Sequence, residues 1–195
     1  MYNLCIMKDR IIIATGNVGK LKEFRAMLPT YDVVSPKELG IEFDVEETGS
    51  TFYENALIKA RALFELSGLP SVADDSGLCV DALDGAPGVL SARYSGGGDK
   101  ENNAKLLREL DGVKDRCAHF SSCIVYYDGN NVIEATGHTY GVIDTKAVGS
   151  NGFGYDPIFI SDDLGKSFGS ATDEEKNAVS HRARALEALR GKLGL

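Results

Sequence analysis

The chain has 195 residues, 43% of them hydrophobic and 26% charged, with a formal net charge of -8. Its apolar runs fall far short of the about 20 residues that a membrane-spanning helix needs, and the acidic balance argues against a broad nucleic-acid-binding face. One domain spanning residues 1–195, or two lobes sharing a sheet, is expected, with the cytoplasm as its setting.

The opening residues, MYNLCIMKDR, lack a hydrophobic stretch of signal-peptide length and read as a short leader before the first strand. Cys5, Cys79, Cys117 and Cys123 form no CxxC pair and are expected to be small free thiols. His119, His138 and His181 are scattered, which does not suggest a zinc site.

Arg10 to Thr15 (RIIIAT) is a β-branched run without alternation, the pattern of a strand buried on both faces. It runs into Gly16-Asn17-Val18-Gly19-Lys20 and then a helix ending near Leu28-Pro29, with Val18, Leu21, Phe24 and Leu28 close to one face. Asn17 suits the N-cap, and a helix N-terminus after a glycine-bearing turn is a natural anion site. An ordinary βα turn is the competing reading. The spacing is not that of a Walker A loop, because Leu21 stands where Ser or Thr would be needed.

Ile41 to Glu47 alternates apolar and acidic residues, as an edge strand or extended segment would. Carrying the phase of Ile41, Phe43 and Val45 forward puts Glu47 on the inward side, while Glu42, Asp44 and Glu46 face solvent. Thr51 to Glu54 has capping-box spacing and opens a helix ending around Ser67-Gly68, with Phe52, Ala56, Ala60 and Leu63 as its apolar stripe. Lys59 lies within about 20° of Phe52 on a helical wheel, inside that stripe. A lysine there either snorkels outward or is directed at an anion or carboxylate, and the small Ala56 and Ala60 beside it favour the second.

Val72 to Leu78 (VADDSGL) reads as an apolar strand ending in Asp74 and Asp75 and then turning through Ser76 and Gly77. Adjacent carboxylates at a strand end repel and are costly to desolvate, so either the turn is solvated or a divalent cation compensates them. A glycine-rich connection follows to Ser91–Gly96, in which Arg93 is open to a structural role. Asp99 to Leu110 reads as a helix with Ala104, Leu107 and Leu110 inward. Ala118 to Tyr127 and Val132 to Ile143 read as two long strands around Asp128-Gly129-Asn130-Asn131, an antiparallel hairpin.

Gly149 to Pro157 (GSNGFGYDP) carries Phe153 and Tyr155, which either stack on a ligand or plug the core; without further support the core is favoured. Thr172 to Glu175 is a second capping box. The last helix carries Val179, Ala183, Leu186 and Leu193 near its core face, with Lys176 and Arg182 about 60° to either side. His181 faces away on an unbroken helix; a fresh start capped by Ser180 would redirect it.

Six of these stretches, in order, resemble the inosine triphosphate pyrophosphatase (Ham-type) family: ATGNVGK from Ala14, EETGSTFYENALIKA from Glu46 and ADDSGL from Ala73, then GAPGVLSARYSG from Gly85, GFGYDPIF from Gly152 and EEKNAVSHR from Glu174. The resemblance implies a mixed α/β fold, a long twisted sheet with flanking helices and two lobes around a cleft. It implies Mg2+-assisted hydrolysis of ITP, dITP or XTP to the monophosphate and pyrophosphate, and a homodimer.

Residue by residue, it implies that Thr15, Gly16, Asn17, Lys20 and Lys59 contact the triphosphate. Glu47 and Asp75 are implied as metal ligands, with Asp75 also the base and Asp74 its support. Phe153, Asp156, Lys176, His181 and Arg182 are implied as the base pocket, with Ser76 and Gly77 nearby, and Ser76, Gly154 and Tyr155 are counted with the substrate-binding residues. Two other classes stay open: a non-catalytic nucleotide sensor, and an aspartyl-nucleophile phosphatase, whose acids would stand two apart after the first strand.

Overall fold

The computed structural model describes residues 9–195, so the first eight residues of the leader, Cys5 among them, lie outside the described residues. Seven strands form one mixed sheet in the order β2-β1-β3-β4-β5-β6-β7. The strands are β1 (Arg10–Ile13), β2 (Asp32–Val34), β3 (Ser71–Val80), β4 (Cys117–Tyr127), β5 (Val132–Ile143), β6 (Phe159–Ser161) and β7 (Lys166–Ser167). The helices are α1 (Val18–Met27), α2 (Phe52–Ser67), α3 (Asp99–Glu109), α4 (Asp173–Val179) and α5 (His181–Leu193).

β1 is parallel to β2 and β3, while β3 through β7 run antiparallel in sequence. The Asp128–Asn131 turn joins β4 to β5 as expected, with the Asp128 carboxylate accepting from the Asn130 and Asn131 N–H groups.

Alternation along the central strands divides the core by face. Ile11, Ile13, Val72 and Ile124 pack with Phe24, Leu28, Ala185, Leu186 and Leu189 under α1 and α5. Ile12, Ala73, Cys123 and Val125 pack with Ala56, Ala60 and Leu63 of α2 on the opposite face. Further along the sheet, Leu78, Val80 and Phe120 join Leu106, Leu110, Tyr155, Ile158, Phe159 and Phe168. The buried Ile11-Ile12-Ile13 run therefore serves two cores at once, which is why it does not alternate in hydropathy.

Four expectations are corrected. Asp74 and Asp75 do not end a strand: β3 continues to Val80, because β4 pairs with it from Ser71↔Tyr127 to Val80↔Ala118 after β1 has stopped. Gly77 is needed there for close approach rather than for a turn, since a Cβ would lie 2.4 Å from both the Gly88 carbonyl oxygen and Ser91 Oγ. Val18 continues the α1 stripe but is 81% exposed, because the first turn overhangs the cleft instead of the core. On α3, Ala104 is exposed, and Asn102, Leu106 and the C-cap Leu110 are buried. Ile41–Glu47 is extended without strand pairing, yet its burial alternates as expected and Glu47 is half-buried.

Candidate active site

β1 pairs with β3 only as far as Val72, so from Asp74 onward β3 borders open space on that side. Side chains from both faces of the sheet, and from the loop after β1, meet in this notch. The result is a cleft of about 450 Å³. Thr15, Gly16, Asn17, Lys20, Glu47, Lys59, Ser76, Phe153, Gly154, Tyr155, Asp156, Lys176, His181 and Arg182 all border it. Asp75 does not; it lies just beneath, 8% exposed.

The loop after β1 is ordered by its own side chains. Asn17 caps α1 by accepting from the Lys20 N–H at 3.1 Å, and Thr15 Oγ1 accepts from the Asn17 N–H at 3.0 Å. These bonds aim the first turn of α1 and the Lys20 side chain at the cleft.

Strand alternation sends the two aspartates to opposite faces of β3. Asp74 Oδ2 receives Lys20 Nζ at 2.7 Å and Arg182 Nε at 3.1 Å, while Oδ1 accepts from Ser122 Oγ at 2.7 Å. Burial opposes ionisation of Asp74, but Lys20, Arg182 and these hydrogen bonds outweigh it and hold the carboxyl well below the usual carboxylate range. Arg182 is itself buried and also binds Glu23 at 2.8 Å and Ser76 Oγ at 3.2 Å.

On the α2 side, Lys59 Nζ reaches Glu47 Oε1 at 2.7 Å, the Asp74 carbonyl at 3.0 Å and Asp75 Oδ1 at 3.2 Å. Asn55 Nδ2 donates to Asp75 Oδ2 at 3.2 Å, and Arg93 stands 3.6 Å from Glu47. Burial alone would lower the Lys59 pKa, but the Asp75 and Glu47 charges raise it above the ordinary lysine value. Burial pushes the Asp75 carboxyl up, with a further push from Glu47 that Lys59 and Asn55 only partly offset. Burial also opposes ionisation of Glu47, whose pKa is nonetheless held down by Lys59 and Arg93. One ammonium thus bonds two carboxylates, and the half-exposed Arg93 is a second cation beside Glu47.

That donor set suits a hard divalent cation that keeps open positions for water and phosphate. Among the described residues no group of three or more His, Cys, Asp or Glu converges into a closed metal cage. Glu47 and Asp75, which share Lys59, are the carboxylates that could contribute to such a site.

The other end of the cleft is aromatic and cationic. Phe153 is 40% exposed, with Lys176 Nζ 4.5 Å and Arg182 Cζ 5.9 Å from its ring centroid. Tyr155 instead fills the core and its hydroxyl donates to the Ser91 carbonyl at 2.9 Å, so the two aromatics divide the two readings between them. Asp156 Oδ2 accepts from Lys176 Nζ at 2.5 Å and from the Phe153 N–H at 2.8 Å; burial pushes its carboxyl up against the pull of Lys176.

Ser180 does start a fresh helix: its backbone is extended and its Oγ accepts from the Ala183 N–H. The break turns His181 inward, where its ring stacks on Phe120 at 4.9 Å. Burial and the neighbouring Arg182 hold its pKa well below the ordinary histidine value, so the ring is neutral, and Nδ1 has no hydrogen-bond partner among the described residues.

Spacing did not single out Asn55, Ser122, Glu23 or Phe120. For Ser122 the available signal was a small polar residue in the middle of a long strand flanked by Phe120 and Ile124. For Glu23 there was none, because its partner Arg182 is 159 residues away.

The chain is similar to known proteins over most of its length. A curated relative from Treponema denticola named "dITP/XTP pyrophosphatase" is 50% identical over 186 residues, covering 92% of this chain and 96% of the relative. One of the same name from Haemophilus influenzae is 49% identical over 197 residues, covering 96% and 100%. The solved Staphylococcus aureus Ham1 protein superposes with a TM-score of 0.89 at 41% identity, covering 95% of this chain and 98% of that one. The model of the Ham1 family matches residues 11–192, and with these likenesses it establishes that the chain belongs to the Ham1 family.

Proposed function

We propose that the chain hydrolyses deaminated purine nucleoside triphosphates (ITP, dITP and XTP) to the nucleoside monophosphate and pyrophosphate. The observation that carries this is one cleft with two chemically distinct ends: Lys20 and Lys59 beside Glu47 and Asp75, and Phe153 with Lys176, His181 and Arg182. The relatives' printed names, dITP/XTP pyrophosphatase, support dITP and XTP, and ITP is added as the ribose counterpart of dITP.

In this reading Lys20 and Lys59 bind the triphosphate and offset the charge that grows on the departing pyrophosphate. Both are held by carboxylates in the free chain, so substrate phosphate would compete with Asp74 for Lys20 and with Glu47 and Asp75 for Lys59. Asp75 accepts the proton of the attacking water as its oxygen bonds to the α-phosphorus and the bond to the β-bridging oxygen breaks; a carboxyl with a raised pKa suits that role. Mg2+, held by Glu47, Asp75 and substrate oxygens, would supply charge neutralisation and Lewis acidity.

Phe153 offers a face for the base. Lys176 and Arg182 are donors that match a 6-carbonyl and oppose the 6-amino group of adenine. The proposal carries a two-lobed single domain, a cytoplasmic setting and a homodimer. No helix among the described residues is long and apolar enough to cross a membrane.

The test is to incubate the protein with ITP, XTP, ATP and GTP and Mg2+, with and without EDTA, and identify products. Inosine monophosphate plus pyrophosphate, lost with EDTA, is expected; orthophosphate without pyrophosphate would refute the reaction, and absence of turnover would favour a nucleotide sensor. The aspartyl-nucleophile alternative loses ground on geometry, since Asp74 and Asp75 face opposite sides of the sheet.

A further inference from the structure

The loop that carries Phe153 is gripped from α3, by Asp99 at the border of the cleft and by Asn103 one turn further on. The Gly154 N–H donates to Asp99 Oδ2 at 2.7 Å, and the Gly154 carbonyl accepts from Asn103 Nδ2 at 3.1 Å. Asp99 and Asn103 lie one turn apart on α3, so their side chains share a face and reach both backbone groups of one residue. Gly154 has φ +60°, a conformation glycine adopts without a Cβ penalty. Asn103 Oδ1 is buried and has no hydrogen-bond partner among the described residues. An amide kept with one half unsatisfied is held for its other half, here the donor to Gly154.

We propose that Asp99 and Asn103 are positioning residues that clasp Gly154 and so fix where Phe153 stands at the base end of the cleft. The consequence for substrate rests on reading that end as the base pocket. Gly149, Gly152 and Gly154 all have positive φ, so the local sequence gives the segment little stiffness of its own. The Asp156 carboxylate pins the Phe153 N–H, and the clasp pins the next residue, so the ring is bracketed by three hydrogen bonds. A ring ordered before the base arrives spares the ligand the cost of ordering it. The clasp therefore acts on binding of the nucleoside part and leaves the phosphate end alone.

The chain contains no tryptophan, so a Phe153→Trp background gives a single tryptophan at the loop tip, excited selectively over the eight tyrosines at the red edge of the absorption band. Adding Asp99→Ala or Asn103→Ala should red-shift its emission and raise acrylamide quenching, whereas Asp99→Asn, which keeps an acceptor oxygen, should restore the parent values. In the chain with Phe153 intact, Asp99→Ala should raise KM for ITP about 3- to 10-fold with kcat little changed. Binding of inorganic tripolyphosphate should stay the same. Unchanged quenching in Asp99→Ala, failure of Asp99→Asn to restore it, or equal weakening of tripolyphosphate and ITP would overturn the clasp. The quenching experiment uses no substrate; a failure of ITP hydrolysis by the unaltered protein would count against the proposed function alone.

Discussion

On an extended strand successive side chains leave opposite faces, so neighbours in sequence can have unrelated surroundings. Asp74 meets Lys20, Arg182 and Ser122, and Asp75 meets Lys59 and Asn55. Asp74 is thus the counter-ion of a buried arginine, and Asp75 is a carboxyl short of positive charge. Substituting them should separate the two roles. Asp74→Ala takes from Arg182 the more deeply buried of its two carboxylate partners, leaving Glu23, and should cost about 3–5 kcal/mol of stability in urea unfolding. Asp75→Asn should lower kcat for ITP by about 10²–10⁴-fold while the Kd changes little. A full-rate Asp75→Asn enzyme would remove Asp75 as base, and an Asp74→Ala protein as stable as the parent would show that Arg182 finds its compensation elsewhere.

At the level of elements, the break between α4 and α5 decides whether His181 and Arg182 reach the cleft. Three contacts fix it. Ser180 caps α5, Thr139 Oγ1 donates to the Val179 carbonyl at 2.7 Å, and Gly137 leaves room for the first turn of α5. A Cβ on Gly137 would lie 2.2 Å from the His181 carbonyl oxygen and 2.4 Å from the Ala185 nitrogen, both backbone atoms that cannot rotate away. Ser180→Ala should cost about 1 kcal/mol, or roughly 2–4 °C in Tm. Gly137→Ala should cost more and also raise KM for ITP, because it displaces the pair that lines the base end. Thermal melts and steady-state kinetics on both variants would check the ranking; the reverse order would mean the cap, rather than the seat on β5, holds the helix.

For the whole molecule, the notch exists because β1 stops while β4 carries β3 onward, so the sheet itself is continuous beneath a gap on one side. Groups buried by that arrangement couple folding to pH. His181 is neutral in the folded chain: burial, then Arg182, with Lys176 and Lys20, lower its pKa against the opposing pull of Asp74. The unfolded chain binds the proton below about pH 6.5 and the folded chain does not, so stability should fall as pH drops below that value, by up to about 1.4 kcal/mol per unit. The Asp74 contribution runs in the same direction but only below about pH 3.9, beneath this window. Urea midpoints between pH 7.5 and about 5.5 should slope downward for the parent and less for His181→Gln; equal slopes would place the pH sensitivity elsewhere.

Much of this was legible one residue at a time. The unalternated Ile11–Ile13 run, the Thr51 and Thr172 capping boxes and the Asp128–Asn131 turn all report the backbone that forms locally. The alternation after Ile41 placed Glu47 inward, and the helical position of Lys59 aimed it at carboxylates, because strand and helix periods fix direction without reference to distant partners. What the sequence by itself determined is therefore the fold class, most element starts and the inward direction of those two charges. Tertiary structure decided the rest. Whether Asp74 and Asp75 end a strand depends on β4, and whether His181 turns inward depends on a glycine and a threonine of β5. The counter-ion of Arg182 on β3 is 108 residues away. Those outcomes follow from strand register and charge pairing between segments far apart in the chain, and a local period carries no information about either.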